Sequence, residues 1–95
     1  MTTWFRRTPE ADALLAEERL LLAATEMVHE ALAATGTSKE ELAARLGVRP
    51  TEISRQLCGG RNLTVRSLAR MMNELGYGIT IEADGRDGRA AARGR

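Results

Sequence analysis

Gly47 and Pro50 interrupt two short apolar patterns of helical spacing, and no other feature restricts the fold of this chain as much. On the N-terminal side, Ser38-Lys39-Glu40-Glu41 is a capping box, in which the serine hydroxyl and the glutamate carboxylate each satisfy the other's backbone donor. It opens a helix over Lys39 to Leu46, with Leu42, Ala43 and Leu46 turned inward. Gly47 takes a backbone conformation that a side chain would penalise, and Val48 and Arg49 make the turn. Pro50 needs no amide partner at the first position of a second helix, which runs through about Leu57 with Ile53 and Leu57 inward. Two helices meeting steeply across so short a turn need a small residue at their crossing, and Ala43 supplies it. Val48 and Ile53 are expected to bury beneath the turn and lock its angle. Thr51, Glu52, Arg55 and Gln56 then fall on the outer side of the second helix.

The flanking elements follow from the same local rules. Thr8-Pro9-Glu10 opens a helix, with a hydroxyl at the cap, proline at the first position and acids in the first turn. Leu14, Leu21, Val28 and Leu32 recur at helical spacing up to Gly36. This predicts one long helix, or two separated by a kink. Cys58-Gly59-Gly60 ends the second motif helix, and Arg61-Asn62-Leu63 is a loop. Thr64 caps a further helix to Leu75, carrying Leu68, Met71, Met72 and Leu75, and Gly76 stops it. In Tyr77 to Ala83, apolar Ile79 and Ile81 alternate with polar Thr80 and Glu82, which predicts a strand. The expected organisation is a lead-in over 1–8, one domain over 9–83 with its motif at 38–57, and a disordered basic tail over 84–95.

Charge is unevenly placed along this chain. Between Glu10 and Glu30, six acids stand against one base, Arg19. From Arg45 to Arg70, six arginines stand against one acid, Glu52. A net charge of +1 conceals this polarity, which suits a basic region for a polyanion and an acidic region kept away from it. With 95 residues there is room for one modest core, and 43% hydrophobic residues with few aromatics fits an all-helical one. No apolar run approaches a membrane span. Met1 to Arg7 lack the apolar stretch of a secretory signal, and the single cysteine, Cys58, fits a reducing cytoplasm.

The segment Glu41-Leu-Ala-Ala-Arg-Leu-Gly-Val-Arg-Pro-Thr-Glu-Ile-Ser-Arg-Gln-Leu57 resembles the helix-turn-helix of lambda-repressor/Cro-like proteins, the XRE family. The likeness covers about Val28 to Leu75. It takes in the loop Gly59-Gly60-Arg61-Asn62 and the pattern Leu68-Ala-Arg-Met-Met-Asn-Glu-Leu-Gly76. The resemblance implies an all-α, four-to-five-helix DNA-binding domain that binds operator DNA as a dimer, with its second motif helix in the major groove. By the same resemblance Arg49, Pro50, Thr51, Glu52, Ser54 and Arg55 form the contact surface. Arg61, Asn62, Thr64 and Arg66 touch phosphates, with Ser38 and Lys39 as weaker candidates. Pro50 departs from the pattern, because the family commonly places a polar reader there. Reading then shifts to Thr51, Glu52 and Arg55. Arg55 can take guanine O6 and N7, while Glu52 either accepts from cytosine N4 or pairs with Arg55 or Arg49 and orients it.

Other chemistry finds little support in the residues. His29 has no second ligand at metal spacing, and Cys58, beside two glycines, reads as a packing residue at a helix end. Neither a phosphate loop nor a nucleophile–base set stands out, so no catalysis, cofactor or metal is expected. Arg45 and Arg70 are placed either to be solvated or to pair with Glu41 and Glu74. Leu14, Leu15, Leu20, Leu21 and Leu22 crowd the acidic first helix, and need a cover from this domain, a twin subunit or another partner. Leu14, Leu15, Leu21, Leu22, Ile79 and Ile81 are the expected interface residues. A lone strand would be completed by the same strand of a second copy, giving a homodimer. The expected function is therefore a cytoplasmic, dimeric, operator-specific regulator. An antitoxin with a cognate toxin, or a protein adaptor with a degenerate motif, stands as the alternative.

Overall fold

The computed structural model describes residues 8–59, 62–83 and 85, and contains four helices among them. Helix α1 spans Pro9–Thr35, α2 Lys39–Leu46, α3 Pro50–Leu57 and α4 Val65–Glu74. The expected lead-in, apart from Thr8, and the tail, apart from Gly85, lie outside the described residues.

Three of the four helices begin where a side chain satisfies a free amide. The Thr8 hydroxyl accepts from Ala11 N at 3.0 Å, with Pro9 at the first helical position. The Ser38 hydroxyl accepts from Glu41 N at 3.0 Å, and the Glu41 carboxylate accepts from Ser38 N at 2.9 Å. Glu41 is thus engaged at its own helix terminus. The Thr64 hydroxyl accepts from Ser67 N at 3.0 Å. Helix α3 has no side-chain cap, and Pro50 at its start removes one of the amides that would need one.

Helix α1 is one continuous rod of 27 residues with no break. At 1.5 Å per residue it is about 40 Å long. Its buried residues, Thr25, Val28, Ala31 and Leu32, all lie in the C-terminal half. These meet Leu68, Met71, Met72 and Leu75 from the C-terminal part of the domain, while Leu42, Ala43, Ile53 and Leu57 complete the core from α2 and α3. The Thr25 hydroxyl, buried with them, donates to Leu22 O at 2.9 Å and so carries no unmet bond into the core. The N-terminal half of α1 extends past this core, with Leu14, Leu15, Leu20 and Leu22 exposed and Leu21 half-buried.

Two sequence expectations are corrected here. Val48 does not bury beneath the turn but is 37% exposed. Gly47 in the left-handed conformation reverses the chain, so Ala43 and Ile53, at 0% and 1% exposure, fill the crossing without it. Gln56 is not on the outer side of α3 but half-buried, lining a small cavity between α3 and α4 with Ser67 and Arg70.

Residues 77–83 follow α4 without helical structure and make no strand ladder among the described residues. Ile79 is half-buried against the core, whereas Ile81 is 69% exposed. Together with Leu20, Leu21, Met27 and Val65 they line an apolar groove of about 330 Å³.

Candidate nucleic-acid interface

The second motif helix is held along one side. Its inner stripe, Ile53 and Leu57, is one helical turn apart and buried in the core. That phase leaves Thr51, Ser54 and Arg55 exposed on the opposite stripe, with Pro50 and Arg49 exposed at the N-terminal end. Val48, Arg49, Thr51, Glu52 and Arg55 line an open concavity of about 530 Å³. Four of these five were expected at a contact surface from the sequence; Val48 was not. It joins them because the turn carries it outward.

The charges in this concavity are organised around one carboxylate. Glu52 Oε1 accepts from Arg55 Nη2 at 2.9 Å, and Glu52 Oε2 accepts from Gln56 Nε2 at 2.8 Å. Both partners lie on the same helix, three and four residues on, where side chains share a face. The Gln56 hydrogen bond, helped by the positive charge and hydrogen bond of Arg55, holds the Glu52 carboxyl below its ordinary range, against partial desolvation that acts the other way. Of the two arginines that Glu52 was expected to reach, Arg55 is the one it pairs with. Arg49 carries a free guanidinium among the described residues.

The expected phosphate-contact residues fall on two helix termini of different character. At α2 the Glu41 carboxylate already occupies the terminal amide of Ser38, so Ser38 and Lys39 stand beside an internal anion. At α4 the first turn holds no acid, Thr64 is the cap, and Arg66 is exposed beside it. Asn62 is exposed in the preceding loop, and Arg61 lies outside the described residues. Of the two termini, that of α4 carries no acid in its first turn, whereas that of α2 carries Glu40 and Glu41.

The chain was compared with family models, curated proteins and solved structures. It matches none of them.

No group of three or more His, Cys, Asp or Glu able to hold a metal occurs among the described residues. No helix of those residues is long and apolar enough to cross a membrane. The dimer or partner residues expected from the sequence divide into two sets. Leu14, Leu15 and Leu22 are exposed along the protruding half of α1, whereas Leu21, Ile79 and Ile81 share the apolar groove. Gln56, like Val48, is a residue that the sequence pattern alone misplaced. Its signal was present in the spacing from Glu52, which suits a carboxylate–amide hydrogen bond within one helix turn.

Proposed function

We propose that this protein is a sequence-specific DNA-binding transcriptional regulator, a dimeric repressor that reads a palindromic operator through α3. The observation that carries the reading is the outer stripe of α3. Thr51, Ser54 and Arg55 stand exposed on a helix fixed by Ala43 and Gly47, with Arg55 tethered by Glu52 and Arg49 free beside it. The four helices are read as a lambda-repressor-like arrangement, which presents such a helix to a major groove about 12 Å wide. Thr64, Arg66 and Asn62, with Arg61, contact phosphates and set the register, while Ser38 and Lys39 contribute less. Function here is binding, in the cytoplasm, without catalysis or cofactor.

The second copy is proposed to sit at the apolar groove. Leu20, Leu21, Met27, Val65, Ile79 and Ile81 place apolar surface in one concavity that a monomer leaves in water. Residues 77–83 are read as a strand completed by its own copy across a two-fold axis, which also spaces two recognition helices for a palindrome.

Selection of bound duplexes from a random pool, followed by affinity against salt for the winner and a scrambled duplex, tests the reading. One palindromic site with a large specificity ratio supports it. Steeply salt-dependent, sequence-blind binding reduces the protein to a non-specific binder. Absence of binding leaves a protein adaptor whose motif no longer reads DNA.

A second reading is favoured by one feature, the N-terminal half of α1. Leu14, Leu15, Leu20 and Leu22 are exposed there among acids. A helix with exposed leucines of that kind suits the apolar groove of a protein partner, so an antitoxin that also represses its own operon accommodates the same DNA-binding face.

A further inference from the structure

Gln56 lies at the junction of two features, the Glu52 carboxylate and a cavity beneath it. One Glu52 oxygen is bonded to Gln56 and the other to Arg55, so the three side chains form a single chain of hydrogen bonds. The two ends of that chain differ. The Arg55 side chain is 64% exposed, whereas Gln56 is half-buried between α3 and α4. The anchored end is therefore Gln56, and the free end is Arg55.

The orientation of the amide follows from chemistry. Only Nε2 can donate to a carboxylate, and the flipped amide would set oxygen against oxygen. Oε1 is then turned away from Glu52, and it is buried without a hydrogen-bond partner among the described residues. Gln56 lines a cavity of about 40 Å³ with Ser67 and Arg70, large enough for one water. Thr64 Oγ1 donates to Ser67 Oγ at 3.0 Å, which leaves the Ser67 hydroxyl proton for another acceptor. Arg70, exposed at its outer end, lines the same cavity. Leucine or methionine would fill the place of Gln56 against Leu46, Ile53 and Met71 without burying an amide. A glutamine there serves something other than packing.

We propose that Gln56 is a positioning residue for base reading: it clamps the Glu52 carboxylate from the side of the core, so that Glu52 holds Arg55 extended toward DNA. The proposal rests on the DNA-binding reading of α3 and names what sets its selectivity. An arginine tethered only to an exposed carboxylate in water samples many rotamers, and ordering them on binding weakens affinity. A carboxylate fixed from behind removes part of that loss before DNA arrives. The lowered pKa of Glu52, which has the Gln56 hydrogen bond as its largest cause, accords with the clamp.

The test uses the full chain and the variants Gln56→Leu and Gln56→Glu. The Glu52 side chain is titrated by NMR, and affinity is measured for the selected duplex and for one altered at the base that Arg55 contacts. Gln56→Leu keeps a side chain of similar size, and Gln56→Glu keeps the shape but loses the donor. In both, Glu52 is expected to titrate higher than in the unaltered protein. For Gln56→Leu, affinity for the selected duplex should fall about three- to tenfold, with binding to a scrambled duplex unchanged; Gln56→Glu, which adds a negative charge, should weaken both. In an Arg55→Ala background, Gln56→Leu should have no further effect on affinity, because the two act through one chain of bonds. Retained discrimination in Gln56→Leu, or a Glu52 titration indifferent to Gln56, overturns the role while leaving the DNA reading intact. Sequence-blind binding by the unaltered protein overturns the DNA reading and this role with it, even where the titration shows the clamp itself to exist.

Discussion

Across the turn between α2 and α3, the amide of Val48 donates to the carbonyl of Ala43 at 3.0 Å. The same reversal brings Gly47 N to Ala44 O at 3.2 Å, closing the end of α2 with two bonds to its last turn. It also explains how a buried alanine and an exposed valine come to lie at two ends of one hydrogen bond. Ala43 is fully buried at the crossing, while Val48 emerges on the concave surface next to Arg49. The helix that carries the proposed base contacts takes its direction from this bond.

Gly47 has φ +72°, and a Cβ added there would meet nothing within 4 Å. The penalty of Gly47→Ala is therefore conformational rather than steric. We expect a loss of about 1–2 kcal/mol, measured by urea unfolding, with the fold otherwise retained. A neutral result would mean that the turn relaxes away from the left-handed region.

The Glu52 carboxyl is held below its ordinary value in the folded protein, first by Gln56 and then by Arg55. A depressed carboxyl contributes stability that is present above its unfolded value of about 4.5 and is lost as pH falls through the folded value. Glu52→Gln should remove that part of the acid sensitivity. Its stability curve should run flatter than that of the unaltered protein below pH 4.5 and parallel to it at neutral pH. Guanidine would mask the charges, so urea is the denaturant to use.

Arg55 and Arg66 should fail differently when truncated. Arg55→Ala is expected to weaken discrimination at one base position by about 1–3 kcal/mol. Arg66→Ala, beside the Thr64 cap, should weaken selected and scrambled duplexes alike and reduce the salt slope by about 1. Competition binding at several salt concentrations separates the two.

Ile81 and Leu20 are the most exposed large apolar side chains of the groove, at 69% and 72%. The double variant Ile81→Lys, Leu20→Lys should sediment as a monomer at micromolar concentration while helical content is kept. Each leucine or isoleucine withdrawn from water is worth about 1.5–3 kcal/mol, so two per subunit are enough to decide association. An unaltered chain that is already monomeric without DNA would count against the groove as a dimer face.

Much of this architecture is decided by neighbours in sequence. Thr8 with Pro9, the Ser38–Glu41 box, Gly47 with Pro50, and Thr64 act within one turn of backbone, and the helix starts stand where the residues put them, with α4 ending at Glu74, one residue before the expected Leu75. The inward phase of Leu42, Ala43, Ile53 and Leu57 was legible for the same reason, since a helix repeats its faces at a constant angle. Periodicity tells which residues share a stripe but not how far the covering surface extends. Only the tertiary structure shows that the core reaches Thr25 and leaves Leu14, Leu15, Leu20 and Leu22 outside it. The outward course of Val48 and the half-burial of Gln56 belong to the same class. Val48 depends on how Ala43 and Ile53 fill the crossing, and Gln56 on where Ser67 and Arg70 of α4 come to rest. Local hydrogen bonds are written residue by residue, whereas burial depends on partners that the chain brings together from a distance.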